Sequence, residues 1–233
     1  MSDKCIAIIP ARGGSKRIPR KNIRPFLGQP IIKYSIDAAF AARIFDKVIV
    51  STDDKEIAEI VMSLGGEIPF FRSEKTSSDR ASLADVIEEV IFEYNKRGEY
   101  FEYFCCMLAT APFILSERLV QSMQLLKKTG ADSIIPVVRY GYPIQRALKI
   151  ENNKLSMVWP ENYEKFSNDL MPAYHDCGQF YCMRTEPFLQ QKKLFADYTI
   201  PIEISESEAQ DIDNEEDWKV AELKYKILRD IKK

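Results

Sequence analysis

A three-layer α/β fold, with a mostly parallel sheet covered by helices on both faces, is predicted by three observations. Short apolar β-branched runs recur along the chain, helical periodicities separate them, and the two kinds of segment alternate through the first 138 residues. Such alternation calls for crossover connections and places ligands at the carboxyl ends of the strands. "CIAIIP" (5–10) reads as a buried strand ended by proline. A helix follows from about Pro30, with Ile32, Ile36, Ala39 and Phe40 at helical spacing and Pro30 suited to its first turn. "KVIVST" (47–52) is a second strand, and "DDKEIAEIVMSLGG" a helix with acidic residues at its start and a glycine pair at its stop. A helix near 82–97, a strand at "YFCCML" (103–108), a helix near 116–128 and a strand at "DSIIPVV" (132–138) continue the order.

From about 139 to 183 the rhythm changes. "RALKIENNKLSMVW" predicts a hairpin turning at Asn152 and Asn153, and a Pro- and Tyr-rich stretch follows, which reads as an excursion for substrate contact or dimer pairing. "GQFYCM" (178–183) returns to the sheet. The stretch from Glu215 to Asp230 closes the chain as a helix with Trp218, Ala221, Tyr225 and Leu228 on one face. The expectation is one domain, 1–233, with the excursion built into it.

The chain has 233 residues, 45% of them hydrophobic, and a net charge of -2. That balance excludes a general nucleic-acid or membrane surface, which needs positive charge spread over a face. No apolar run reaches the roughly 18 residues of a membrane span, and no signal-peptide pattern is present, so a cytoplasmic protein is expected. Five cysteines without CxxC spacing argue against a disulfide framework. His175, Cys177 and Cys182 raise a zinc question, but a fourth ligand has no source, and buried reduced thiols are the better reading.

The basic cluster in "IPARGGSKRIPRKN" needs a local explanation. Arg12, Lys16, Arg17, Arg20, Lys21 and Arg24 fall within thirteen residues, and no acid stands between Asp3 and Asp37. A loop after a buried first strand can aim amides and cations at one spot, and Gly13 and Gly14 permit close approach, which suits phosphate better than a merely solvated charge run. The P-loop pattern GxxxxGK[ST] is missing, Pro19 and Pro25 interrupt any direct helix, and GxGxxG is missing too.

The opposite charge gathers late. Eight of the fifteen residues from Glu203 to Asp217 are acidic and none is basic. Asp213 reads as a helix N-cap with "EED" in the first turn. Capping leaves Asp211 unexplained. In an extended segment Asp211 and Asp213 point to opposite faces, so a bend near Ile212 or a bridging ion must make them converge, and magnesium prefers such carboxylate oxygens together with phosphate. A cationic loop and a metal-holding carboxylate pair suggest transfer from a nucleoside triphosphate. A nucleotide-binding regulator without turnover would not need that pair, and a Ser/His/Asp hydrolase lacks a GxSxG partner for the single histidine.

On these residues the chain resembles the CMP-sugar-acid synthetases, the cytidylyltransferases that activate nonulosonic acids such as sialic acid. "IPARGGSKRIPRKN" is similar to their opening signature, "RSEKTSSDRAS" (72–82) to their nucleotide-base segment, "LATAP" (108–112) to their central LxxTxP element and "DIDNEEDW" to their metal-binding end. Within the family, "GGSKRIPRKNI", "TAPF" and "YHDCGQFY" resemble the pseudaminic acid branch. Leu108 stands where the sialic acid enzymes carry the glutamine of LQPTSP.

The resemblance implies a Rossmann-like nucleotidyltransferase fold, a homodimer, and transfer of CMP from CTP to a nonulosonic acid, most simply pseudaminic acid, with legionaminic and sialic acids as alternatives. Among the residues at the family's nucleotide site, Ala11 to Lys16, Arg12 and Lys16 would hold the triphosphate, with Ser15 and the loop amides of Gly13 and Gly14 beside them. Lys21 would stabilise charge on the α-phosphate and Asn22 would position the nucleotide. Arg72, Ser78, Asp79, Ala81 and Ser82 match the region that reads cytosine and ribose. Asp211 and Asp213 would hold Mg2+, and no covalent intermediate is required. Arg146, His175, Gln179 and Tyr181 are candidates for the sugar pocket.

Overall fold

The computed structural model describes residues 3–231. The first strand, β1 (Cys5–Pro10), alternates between two cores: Cys5, Ala7 and Ile9 face one helical layer, Ile6 and Ile8 the other. A residue pair at each side of Leu27–Gly28 forms a small hairpin, β2 (Pro25–Phe26) and β3 (Gln29–Pro30), with Leu27 and Gly28 both at positive φ. This corrects one expectation. Pro30 belongs to β3, paired with Pro25, and helix α1 (Ile32–Ala42) starts two residues later. Ile32, Ile36 and Ala39 are buried as their spacing requires, while Phe40 is exposed.

Strand β4 (Lys47–Ser51) leads to α2 (Lys55–Ser63), capped by Asp54, whose side chain accepts from the Ile57 amide. The short α3 (Glu74–Ser77) precedes α4 (Leu83–Lys96), and then come β5 (Tyr103–Met107), α5 (Ser116–Thr129) and β6 (Ser133–Arg139). The excursion contains the hairpin β7 (Leu148–Glu151) and β8 (Lys154–Met157), turning at Asn152 and Asn153, both in the left-handed region that asparagine tolerates. The chain returns through β9 (Tyr174–Asp176), β10 (Phe180–Arg184), α6 (Thr185–Gln191), β11 (Thr199–Glu203) and α7 (Glu215–Ile231).

The strand order is β11-β6-β10-β5-β1-β4, with β9 beside β6. Pairings β1–β4, β1–β5 and β6–β11 are parallel, and β10 runs antiparallel to both neighbours. Helices α1, α2 and α5 pack on one face and α4 and α6 on the other, so the predicted three layers are present. Both β9 and β10 pair with β6, and the break between them lies opposite Pro136, which has no N–H to give to a ladder. Strand β11 escaped the sequence reading because Pro201 interrupts it; on an edge strand a proline is tolerated.

A third, smaller core fastens the two ends of the chain together. Ile18 of the basic loop and Ile212 between the two aspartates are both fully buried, with Phe26, Ile31, Phe113, Trp218 and Ala221 around them. Phe26 meets Tyr34, Trp218 and Tyr225 edge to face, at centroid distances of 5.4, 5.7 and 5.7 Å. Truncating Ile212 to alanine should cost about 2–5 kcal/mol. Thermal unfolding checks this: a shift smaller than about 2 °C would mean that the clasp contributes little.

Candidate active site

The carboxyl ends of β1, β4 and β5 lie on one edge of the sheet. The chain passes from β1 to β4 on one side and then crosses back to β5 on the other, which leaves a crevice where the direction of winding reverses. A cleft of about 310 Å³ occupies that place. Arg12, Ser15, Lys16, Arg17, Lys21 and Asn22 line it from the basic loop, Arg72, Ser78, Asp79, Ala81 and Ser82 from the segment before α4, Leu108 to Thr110 from the end of β5, and Asp213 from the far end of the chain.

Local bonding explains how the loop is shaped. The amide of the buried Ala11 donates to the Ser51 carbonyl at 2.9 Å, the Gly13 amide to Asp53 Oδ1 at 2.9 Å, and the Ser15 amide to the Gly13 carbonyl at 3.0 Å. Those three amides are taken by protein acceptors and are not free to face an anion. At Gly13 a Cβ would stand 2.4 Å from Asp54 Oδ2, so this glycine is required by packing; at Gly14 a Cβ would meet nothing within 4 Å. Asn22 Nδ2 donates to the Arg12 carbonyl at 2.9 Å and braces the loop from beneath.

The six cations divide. Arg12 and Lys16 both reach Asp79, Arg12 at 3.0 Å, and lower its carboxyl pKa, Lys16 having the larger effect. Arg17 pairs with Asp213 at 2.7 Å. Lys21 Nζ donates to the Ile212 carbonyl and stands 3.8 Å from Asp213 Oδ1; burial pushes this ammonium down, against the opposing pull of Asp213 and Asp211. Arg20 and Arg24 point elsewhere, to Asp54 with Glu56 and to Glu215, and Arg24 lies over the Trp218 ring at 4.6 Å. A count of basic residues therefore overstates the charge available to a ligand.

Arg72 is tied to the end of β4, donating through Nε to Ser51 Oγ at 2.9 Å and through a terminal nitrogen to the Ser51 carbonyl at 2.7 Å. Burial pushes its guanidinium down to about 10, which still leaves it charged at neutral pH. Ser78 Oγ donates to the Lys75 carbonyl at 3.0 Å, and Ala81 closes a turn on Ser78. Ser82 caps α4 in a reciprocal box with Asp85. The reading of single residues missed Thr76, Leu83 and Val86, which also line the cleft. Their signal was available: Thr76 falls inside the quoted segment, and the first apolar turn of α4 gives the cleft a flat apolar wall.

At the acidic end the structure corrects the cap. Asn214 Oδ1 accepts from the Glu216 and Asp217 amides at 2.8 and 3.0 Å, and Asp217 Oδ2 accepts from the Asp213 and Asn214 amides at 2.9 and 3.0 Å. Asn214, not Asp213, is the N-cap, because its amide side chain closes the box with Asp217. Asp213 is thereby released to the cleft. Asp211 lies outside the cleft lining and packs near Gly178, where an added Cβ would come within 3.5 Å of it. One side of Asp211 is open to solvent and the other is crowded; desolvation, then the charge of Asp213, raises its carboxyl. Two mutually repelling carboxylates, one with a raised pKa, are a donor set of hard oxygens suited to a divalent cation. Among the described residues no group of three or more His, Cys, Asp or Glu side chains is placed to hold a metal by itself, so remaining ligands would come from phosphate and water.

The four sugar candidates lie outside this cleft. Arg146 and His175 are exposed on the excursion and β9; Arg146 donates to the Lys165 carbonyl, and His175 Nδ1 is 2.9 Å from the Asp176 carbonyl. Gln179 and Tyr181 are buried, Gln179 donating to the Glu208 carbonyl at 2.6 Å and Tyr181 to Asp176. The Gln179 carbonyl accepts from the Leu108 amide at 2.8 Å, which joins this segment to the central element. Cys177 and Cys182 are buried free thiols, and burial pushes Cys177 up to about 12.

The chain is 37% identical over 225 residues to a pseudaminic acid cytidylyltransferase of Campylobacter jejuni, covering 96% of this chain and 97% of that one. It is 28% identical to a CMP-N,N'-diacetyllegionaminic acid synthase of Legionella pneumophila, covering 94% and 95%. Among solved structures, a CMP:2-keto-3-deoxy-manno-octonic acid synthetase complexed with CTP superposes with a TM-score of 0.70 at 16% identity, over 97% of this chain and 99% of that one, a likeness of fold. The cytidylyltransferase family profile matches residues 6–229, and the chain belongs to that family.

Proposed function

We propose that this protein transfers CMP from CTP to the anomeric hydroxyl of a nonulosonic acid, pseudaminic acid, and releases pyrophosphate. The observation that carries the reading is the meeting of Arg12, Lys16, Lys21 and Asp213 on one cleft from opposite ends of the sequence. The anomeric oxygen attacks the α-phosphorus, the bond from that phosphorus to the bridging oxygen of pyrophosphate breaks, and the hydroxyl proton passes to solvent water. Arg12 and Lys16 hold the β- and γ-phosphates once these displace Asp79, and Lys21 faces the charge that grows on the α-phosphate. Arg72 and the segment from Ser78 to Ser82 form the side of the cleft toward the base and ribose, with Asn22 fixing the loop beneath.

Asp211 and Asp213 would hold Mg2+, whose Lewis acidity lowers the pKa of an oxygen bound to it. Arg146 and His175 are the exposed candidates for contact with the sugar acid, and the buried Gln179 and Tyr181 would shape its wall. Identity of 37% to the pseudaminic acid enzyme, against 28% to the legionaminic acid synthase, supports pseudaminic acid. Assays of pyrophosphate release with CTP and each of pseudaminic, legionaminic and sialic acids test this: the first should give the highest kcat/KM, and a preference for either of the others would overturn the sugar assignment.

The excursion exposes Leu148, Ile150, Leu155, Phe166 and Met171, an apolar surface of the kind that marks an interaction site, and we assign it to a homodimer. Sedimentation should show a dimer that Ile150→Glu with Leu155→Glu converts to monomer; a wild-type monomer would remove the assignment. Among the described residues no helix is long and apolar enough to cross a membrane. Five free buried thiols fit a reducing compartment, and we place the reaction in the cytoplasm.

A further inference from the structure

Two consecutive aspartates at the end of β4 grip the two ends of the basic loop, and neither belongs to the cleft lining. Asp53 Oδ1 accepts from the Gly13 amide at 2.9 Å, where the loop begins. Asp54 accepts both terminal nitrogens of Arg20, at 2.5 and 2.9 Å, where the loop ends, and the same carboxylate caps α2 through the Ile57 amide at 3.0 Å. Arg20 also reaches Glu56. Between the two pins stand Ser15, Lys16 and Arg17, the side chains that face the cleft.

Arg20 occupies this place at a conformational cost. Its φ is 55°, in the left-handed region, where glycine would be the easier residue if only the turn mattered. A non-glycine residue held there points to a use for the guanidinium, and the paired bonds to Asp54 supply it. The Gly13 packing is the complement: a side chain at 13 would collide with Asp54 Oδ2.

We infer that Asp54 and Arg20, with Asp53, are positioning residues for the triphosphate: they fix the span from Gly13 to Arg20 so that Lys16 and its neighbours meet the β- and γ-phosphates without first ordering the loop. A flexible loop would lose backbone freedom on gripping its ligand, and cations crowded in sequence would spread apart. The pins remove that cost beforehand.

The inference rests on the proposed CTP reaction, and direct binding separates the two. CTP, pyrophosphate and CMP are titrated against wild type, Asp54→Ala, Arg20→Ala and Arg20→Lys, alongside steady-state kinetics and thermal unfolding. In the alanine variants CTP and pyrophosphate should bind roughly 10- to 100-fold more weakly, with CMP, which lacks the outer phosphates, within about twofold of wild type. Arg20→Lys should recover only part, because an ammonium cannot make the forked pair. Combining Asp54→Ala with Arg20→Ala should add little to either alone.

A purely structural role would lower the melting temperature without separating CTP from CMP, and that result overturns the inference, as does unchanged CTP affinity. If Asp54→Ala fails to fold, the two Arg20 variants carry the same comparison, since α2 keeps its cap. Wild-type protein that binds no CTP would instead overturn the proposed reaction itself.

Discussion

Lys21→Ala should lower kcat by roughly 10²- to 10³-fold, the range found when one donor to a developing negative charge is removed. Burial lowers the Lys21 ammonium pKa, against the opposing pull of the Asp213 and Asp211 charges. The ammonium is already oriented, held by the Ile212 carbonyl, so little reorganisation is needed when charge grows beside it. Arg12 and Lys16 remain to hold CTP, so its KM should change far less than kcat, the pattern of an interaction made mainly in the transition state. Steady-state kinetics with saturating sugar checks the split. Near-normal turnover would remove Lys21 from the chemistry, and a rise in KM alone would make it a ground-state contact. A Lys21→Arg variant should not restore full rate, since the guanidinium is larger and its fork does not fit a site built around one carbonyl.

Much of this architecture was legible because the strands are buried on both faces. A parallel strand such as β1 must be apolar throughout, and "CIAIIP" could be little else. The excursion also announced itself, since Asn152-Asn153 is a turn signal with a conformational reason. Strand β11 was illegible because its proline argues against a strand and its edge position, which cancels that argument, is known only from the tertiary structure. Pro30 misled for a related reason: first-turn proline is a common helix signal, and the Leu27–Gly28 turn that recruits Pro30 into β3 depends on Phe26 being drawn under Trp218.

The site shows the same division. Residue type and crowding gave the anion-binding loop, yet which cations face the cleft depends on where the acids fall. Arg20 and Arg24 meet Asp54 and Glu215, 34 and 191 residues away, and no local pattern shows that. Ile212, between Asp211 and Asp213, is fully buried; Asp213 lines the cleft and Asp211 lies outside its lining, a division that the alternation of an extended segment allows. Asn214 as the cap was readable in principle, because N followed three residues later by D is a capping-box pattern, but the stronger acidic run around it drew the assignment one residue early.

Asp211→Asn should separate stability from activity. The Asp211 carboxyl is raised first by desolvation and then by Asp213, so the folded protein binds its proton more tightly than the unfolded chain does. An acid shifted in that sense subtracts nothing from stability below its unfolded pKa, then an increasing amount as pH climbs to the folded value, and the full amount above it. Metal-free Asp211→Asn should therefore melt higher than wild type near neutral pH, and the difference should vanish below the usual carboxylate range. Magnesium should raise the melting temperature of wild type and not of the variant, because only a cation held by the folded state shifts the equilibrium. Turnover should fall at least about 10²-fold, several kcal/mol of charge stabilisation being lost with the ligand. The two readouts move in opposite directions, which damage to the fold cannot do. An Asp211→Asn protein with a wild-type magnesium titration would assign the metal elsewhere, and one that melts lower than wild type at neutral pH would mean that the repulsion between Asp211 and Asp213 is already relieved within the metal-free protein.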